Sequence, residues 1–264
     1  MGCVEKHGPH LPLGTDIIEG SAIAYLASQL ETVCVAPDFT FGDTLPAAAP
    51  TAPDGYITIS LNTMMTLLEE MCEQAAKNGF KKVVVLNFHG GNCSWLSTFA
   101  RHLYTKKRDY EFFICQPVLT APHKMAEKIL AQGKEVFPEL NDEDVALLMK
   151  YHEQKMKIGH GGFGETSYVM AVTPESVKLE NLGSESGQST HIMDYLNEAK
   201  VSIQSNGWDY NYPNAYAGDD PYGCNERIGK AAIRMAAEIY AKQFKVIKDD
   251  ELVLKLQEER QKGW

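Results

Sequence analysis

Three short stretches of the chain gather side chains that could do chemistry. The first, Glu5-Lys6-His7-Gly8-Pro9-His10-Leu11-Pro12-Leu13-Gly14-Thr15-Asp16, sets two carboxylates and two imidazoles within twelve residues. Glu5 and His7 are two apart, so in extended backbone they share a face and can aim at neighbouring cations. Gly8-Pro9 and Pro12 force a turn that can return Asp16 to them. The bland alternative for Asp16, just before an expected helix, is a capping carboxylate. The second stretch, Asn87-Phe88-His89-Gly90-Gly91-Asn92, follows an apolar run directly, and its glycine pair lets backbone approach a ligand closely. A lone histidine there reads equally well as a hydrogen-bonded core residue. The third, His160-Gly161-Gly162-Phe163-Gly164-Glu165-Thr166-Ser167, again sets an imidazole and a carboxylate among glycines. Its alternative is a loop followed by a Thr/Ser cap.

Together the stretches supply histidines His7, His89 and His160 and carboxylates Glu5, Asp16 and Glu165, all in glycine-rich breaks. Mixed imidazole and carboxylate donors suit Zn, with Mn or Fe also accepted, and make little call on thiolate. Two divalent ions need about three ligands each and one shared carboxylate; at ~3.5–4 Å apart they activate water and polarise a carbonyl together.

The elements that must position these groups alternate. Ile17–Leu30 reads as a helix, Val33–Ala36 as a short strand, and Asp38–Tyr56 as an irregular Pro/Ala/Gly-rich loop. Leu61–Lys77 is amphipathic, with Gly79 as its stop. Lys82–Phe88 is a continuous apolar run of strand length, which predicts cover on both faces and puts His89 at its carboxyl end, where parallel sheets carry their sites. Helices are expected over Trp95–Lys107, Pro122–Gln132, Asp142–Lys155 (with Asn141 as N-cap), Glu226–Val246 and the charged tail, and a strand over Glu111–Val118. Ser167–Val172 fits either type. The alternation predicts an α/β fold: one domain over 1–264, a mostly parallel sheet flanked by helices. Residues 187–224 carry Trp208, Tyr210, Tyr212, Tyr216 and Tyr222 and are expected to cover a site or form an interface.

The bulk numbers narrow the class. The chain has 264 residues, 44% hydrophobic and 23% charged, an ordinary globular balance. A net charge of -10 disfavours nucleic acid as a partner. No apolar run approaches the ~20 residues of a membrane span, and no secretory leader opens the chain, so a cytoplasmic protein is the default expectation. The six cysteines form no Cys-x-x-Cys pair and read as reduced, buried thiols.

With these residues in view a resemblance is plain. GCVEKHGPHLPLGTD resembles the signature of the creatininase (creatinine amidohydrolase) family, NFHGGN its Asn-x-His-Gly-Gly-Asn motif, and HGGFGETS its His-Ala-Gly-x-x-Glu-Thr-Ser motif. The likeness spans roughly residues 2–185, and three motifs in order are quite specific. It implies a creatininase-like fold and a binuclear centre: Glu5 and His89 on one metal, His7 on the other, Asp16 bridging. In the creatinine-hydrolysing enzymes a Glu two residues after the motif His completes the second metal; here that place is Gly91, which leaves Glu165 as the candidate, or else a proton-transfer group. His160 matches a residue that contacts substrate and helps move a proton. Met156 and Lys157 stand where those enzymes carry Trp-Asp, and Gly90 where they carry Tyr, which implies a substrate other than creatinine. Relatives with Gly-Gly after the histidine include formamide deformylases and peptide-maturation hydrolases. The resemblance therefore implies a metal-dependent amidohydrolase that cuts a non-peptide C–N bond, in a cyclic amide or formamide of small size. It also implies a homo-oligomer, typically a hexamer. In relatives a full strand precedes the first motif; here only Met1 to Val4 do, so either the chain begins upstream or that edge strand is missing.

Two other readings compete. One is a family member with altered or lost chemistry that serves as a binding or scaffold protein. The other is a phosphate or nucleotide binder on the Gly-rich turns, which the absence of G-x-G-x-x-G and P-loop spacing disfavours.

Overall fold

A computed structural model of the chain describes residues 1–44, 55–115, 122–203 and 207–263. Ten α-helices and two strands are described, besides short 3-10 turns: α1 (Thr15–Leu30), α2 (Leu61–Lys77), β1 (Lys82–Leu86), α3 (Asn92–Tyr104), β2 (Glu111–Cys115), α4 (Pro122–Gln132), α5 (Asp142–Glu153), α6 (Phe163–Val172), α7 (Asp194–Glu198), α8 (Trp208–Asn211), α9 (Glu226–Asp249) and α10 (Leu252–Gln261). β1 and β2 pair in parallel, with Lys82 opposite Glu111 and Leu86 opposite Cys115. Among the described residues this is the whole sheet, so the fold is α/β with a small parallel sheet and a large helical share.

The apolar run of β1 is covered on both faces, as its composition predicts. Val84 and Leu86 pack against a core built mainly from α1, α4, α5, α6 and α9. Val83 and Val85 join a second core with α2 and α3, around Met64, Leu68, Trp95 and Phe99. The period-two alternation of strand side chains makes this split possible.

In the larger core α9 packs on α1 and α6. Its buried face is rich in alanine (Ala231, Ala232, Ala236, Ala237), which lets the helices approach closely. Contact is tightest at Gly229, where a Cβ would lie 1.9 Å from the Ser167 carbonyl oxygen. Asn225 caps α9 by accepting from the Arg227 and Ile228 N–H groups. Asn141 and Asp144 form a capping box on α5, and Asp144 also takes two hydrogen bonds from Arg227, tying α5 to the start of α9.

Several expected boundaries move. Residues 33–36 form no strand: they have no ladder partner, and Val35 is exposed. α3 begins at Asn92 rather than Trp95, because the Gly90-Gly91 turn closes immediately after His89. The ambiguous Ser167–Val172 lies inside α6, which starts at Phe163 and so carries Glu165 in its first turn. α9 runs to Asp249 rather than Val246. Part of the expected loop over Asp38–Tyr56 (45–54) and the end of the expected strand Glu111–Val118 (116–118) lie outside the described residues. Cys3, Cys72, Cys115 and Cys224 are buried free thiols, but Cys34 and Cys93 are exposed. Met1 pairs beside the end of β1: its ammonium donates to the Leu86 carbonyl and the Phe88 N–H donates to its carbonyl, whereas Gly2 and Val4 pair with Phe39 and Ile57. No described helix is long and apolar enough to cross a membrane.

Candidate metal centre

The three motifs meet at one buried point. Glu5 and His7 lie on the extended segment before the Gly8-Pro9 turn, and Asp16 returns to them from the first turn of α1. Gly8 holds φ +68°, and a Cβ there would press on the Tyr216 ring at 3.0 Å, so this turn requires glycine. Asp16 makes no cap hydrogen bond; its carboxylate points into the molecule. One oxygen, Oδ1, lies 3.0 Å from His7 Nε2, and the other, Oδ2, lies 3.1 Å from His89 Nδ1. His89 Nδ1 is also 3.0 Å from Glu5 Oε1. Glu165 Oε2 also faces His7 Nε2, at 4.0 Å. Glu5, His7, Asp16 and His89 are 5%, 0%, 2% and 7% exposed, so solvent does little to screen these groups from each other.

Each ring has one nitrogen engaged by backbone, which turns the other inward. His7 Nδ1 pairs with the Glu5 carbonyl (3.1 Å), His89 Nε2 with the Asp43 carbonyl (2.8 Å) and His160 Nε2 with the Lys6 carbonyl (2.7 Å). Neutral imidazoles donate through those nitrogens and leave His7 Nε2, His89 Nδ1 and His160 Nδ1 with free lone pairs, the arrangement that orients a histidine for a metal. The His89 arrangement is buttressed in turn. Asn92 accepts from the Asp43 N–H and the Trp95 indole, while Asn87 accepts from the His89 N–H and from Asn92. The asparagines of the second motif thus shape the turn that aims the ring.

Among the described residues the donors form three overlapping sets. Glu5, Asp16 and His89, with Cys3, make the first; His7, Asp16 and Glu165 make the second; Glu5, His7 and His160 make the third; within each set one ligand atom per residue lies within 4.8 Å of the rest. Asp16 belongs to the first two, one oxygen toward each. Buried Glu5 Oε1 receives no hydrogen bond, an orphaned acceptor of the kind a cation satisfies. The residues present therefore fit a pair of divalent ions.

The electrostatics say the same. Burial opposes charge on His7, yet Asp16, then Glu165 and Glu5, raise its imidazole to about 10. Burial also opposes charge on His89, but Glu5, Asp16 and Cys3 hold it well above its ordinary range. Burial works against charge on Asp16 and Glu5 too, yet the surrounding imidazoliums outweigh it and hold both carboxyls low. Without metal, protons on the histidines neutralise the carboxylates; a divalent ion is the stronger replacement. Burial pushes Glu165 up, against His7, His160 and a 2.5 Å hydrogen bond from the Gly161 N–H.

Gly91 is closed to any side chain: a Cβ would sit 2.3 Å from the Asp43 carbonyl oxygen and 2.6 Å from His89 Nε2. The Asp43 carbonyl fills the space that a side chain at position 91 would take, and the carboxylate near His7 is instead Glu165, from α6. His160 is the more open member of the cluster. Its side chain is 17% exposed, its ring stacks on His7 at 4.0 Å, and Trp208 meets it edge-on at 5.2 Å. Trp208 and Tyr212, from the aromatic-rich segment, thus line its outer side.

Two nearby groups escaped the sequence reading. Cys3, read as core filler, puts Sγ 3.1 Å from Asp16 Oδ2. Glu19 is fully buried, neither of its oxygens has a hydrogen-bond partner, and burial with Glu165 and Asp16 pushes its carboxyl far up. The signal for Glu19 was available: a carboxylate three residues after Asp16 falls on the face that buries Ile23 and Ala27.

An α/β fold with a buried cluster of histidines and carboxylates just beyond the end of β1 is consistent with a class of metal-dependent hydrolases. Residues 1–244 match the creatininase family, described as creatinine amidohydrolase, and the chain belongs to that family. A Bacteroides fragilis NCTC 9343 protein assigned as a creatinine amidohydrolase superposes with TM-score 0.69 at 23% identity, covering 95% of this chain and 88% of that one. A creatininase mutant complexed with creatine gives 0.64 at 16%, covering 94% and 90%. These solved structures share the fold. A Mycolicibacterium smegmatis mycofactocin precursor peptide peptidase is 30% identical over 121 residues, and its Mycobacterium ulcerans counterpart 32% over 124. The matches cover 44% of this chain and 47% and 48% of those proteins, so the chain spans about half the length of the curated relatives it matches.

Proposed function

We propose that the chain is a binuclear metal hydrolase of amide C–N bonds. One ion is held by Glu5, Asp16 and His89, the other by His7, Asp16 and Glu165. The observation that carries this reading is Asp16, whose two oxygens face two histidines belonging to separate donor sets. Solved structures of relatives that share the fold include Zn–Zn and Mn forms. Zinc is the first choice here, as imidazole and carboxylate suit it.

When bound, such a pair supplies an activated water and polarises the substrate carbonyl. The chain's own residues do the rest. Asp16 and Glu5 set the charge of the centre, and the backbone carbonyls of Glu5 and Asp43 hold the two ring ligands in one tautomer. His160, at the open side, is placed to take a proton from the water on Nδ1 and pass it to the leaving nitrogen, while Nε2 stays fixed on the Lys6 carbonyl. Trp208 and Tyr212 limit water on that side.

The substrate of the first reading is a small cyclic amide or formamide, cut at a non-peptide C–N bond; Gly90, Gly91, Met156 and Lys157 count against creatinine. A second reading, cleavage of a short peptide, draws support from the names of the mycobacterial relatives. The test is zinc-loaded full-length protein against creatinine, formamides, other cyclic amides and short peptides, with metal content read on the same sample. Turnover of formamides or cyclic amides with two metals per chain supports the first reading, and turnover of peptides alone the second. Tight binding of two metals with no turnover of any amide favours the binding-protein alternative, and protein that takes up no metal would sink the proposal.

A further inference from the structure

We propose that Cys3 is a fourth protein ligand of the Glu5–Asp16–His89 ion, binding as a thiolate. This rests on the two-ion reading above and adds to it an unequal pair: one site with sulfur, one without.

The geometry is that of a coordination shell. Cys3 Sγ lies 3.1 Å from Asp16 Oδ2, and it shares with Glu5, Asp16 and His89 a cluster whose ligand atoms all fall within 4.8 Å of one another. Cys3 is 0% exposed, so this is no surface thiol that happens to pass by. An independent sign points at the same spot: Glu5 Oε1, buried and without a hydrogen-bond partner, faces the same space. Tetrahedral zinc with bonds of ~2.3 Å to sulfur and ~2.0–2.2 Å to nitrogen and oxygen has edges of about 3.4–3.6 Å. The present spacings of 3.1 Å (Sγ to Asp16), 3.1 Å (His89 to Asp16) and 3.0 Å (His89 to Glu5) need open by only a few tenths.

The backbone commits the thiol to this position. A Cβ on Gly2 would meet Asp16 Cβ at 2.7 Å, and one on Gly42 would meet Cys3 Cβ at 2.6 Å. Two glycines thus let Cys3 pack closely into the wall of the site. The side chain also completes the first set to four protein donors, whereas the second set holds three.

Ligation breaks the S–H bond, releases that proton to buffer and forms one sulfur–metal bond; no electron is transferred. Thiolate is soft, so this site should select zinc over manganese more strongly than its imidazole–carboxylate neighbour does.

The test uses the full-length chain stripped of metal and titrated with Co2+. The expected result is two Co2+ per chain and a near-ultraviolet sulfur-to-cobalt charge-transfer band. Cys3→Ser should keep two Co2+ and lose the band, while Cys34→Ser and Cys93→Ser should keep both. Two Co2+ bound with no band in the unaltered chain would overturn the thiolate and leave the binuclear reading standing. No Co2+ bound would overturn both. Should Cys3→Ser fail to fold, the zinc absorption edge of the unaltered protein decides: a sulfur scatterer at ~2.3 Å supports the ligand, and nitrogen and oxygen alone at ~2.0–2.2 Å overturn it.

Discussion

At the scale of single residues, the centre divides its labour by which atoms are free. Glu165 and His160 both lie near His7, yet their surroundings differ. Glu165 is fixed by the Gly161 N–H and aims Oε2 toward His7 Nε2, as a ligand would. His160 is more exposed and borders the aromatic segment, as a group that meets substrate would. Glu165→Gln should therefore lose one metal per chain along with activity. His160→Ala should retain both metals and turn over ~10²–10⁴-fold more slowly, the usual loss for a general acid. Metal content and kcat measured together separate the two roles. Full metal content in Glu165→Gln would make it a proton-transfer group, and undiminished activity in His160→Ala would remove it from the mechanism.

At the scale of elements, positions without side chains decide how the motifs meet. The stretch after β1 must turn within Gly90-Gly91 and start α3 at Asn92, and the Asp43 carbonyl must come over Gly91 to reach His89. Gly91→Ala would place a Cβ against both partners of that hydrogen bond. The expected outcome is a metal affinity lowered by ~10–100-fold, the usual cost of losing the partner that orients a ligating histidine. Competition with a chromogenic chelator measures it; unaltered affinity would mean that the Asp43 contact does not hold the ring.

At the scale of the whole molecule, the metal-free protein stores protons in its centre, and this fixes the sign of its pH dependence. His7 is raised to about 10, so the stability it contributes is complete below the unfolded value of about 6.5 and is lost as pH rises through about 10. Glu19, held far above its ordinary range by burial and its acidic neighbours, acts in the same direction. Urea denaturation of chelator-treated protein should show a midpoint that falls between pH 6.5 and 10, and bound zinc should flatten the fall by replacing the protons. A flat metal-free profile would contradict the coupling. Assembly is a separate expectation. Tyr195, Tyr210, Tyr222 and Ile192 of the aromatic-rich segment are 52–64% exposed, an apolar surface suited to an interface. We expect a homo-oligomer, a hexamer by family likeness; a monomer in light scattering at micromolar concentration would refute it.

The candidate donors, the two-faced strand and most helices were legible in the sequence, because these follow from residue type and local period. Leu61–Lys77, Pro122–Gln132 and the Asn141 cap are read from apolar spacing and turn chemistry that act within a few residues. Tertiary structure decided what depends on partners distant in the chain. Residues 33–36 have strand composition but no ladder to join. Ser167–Val172 became helix because α9, some sixty residues later, packs on it. Glu19 and Cys3 looked like a helix carboxylate and core filler, since neither type nor spacing tells what a side chain will face once buried. That both face Asp16 is a consequence of folding residues 2–19 against β1 and α6. The same contact turned three scattered motifs into one centre, because metal ligands must converge within a few ångströms and the spacing of residues along the chain carries no such distance.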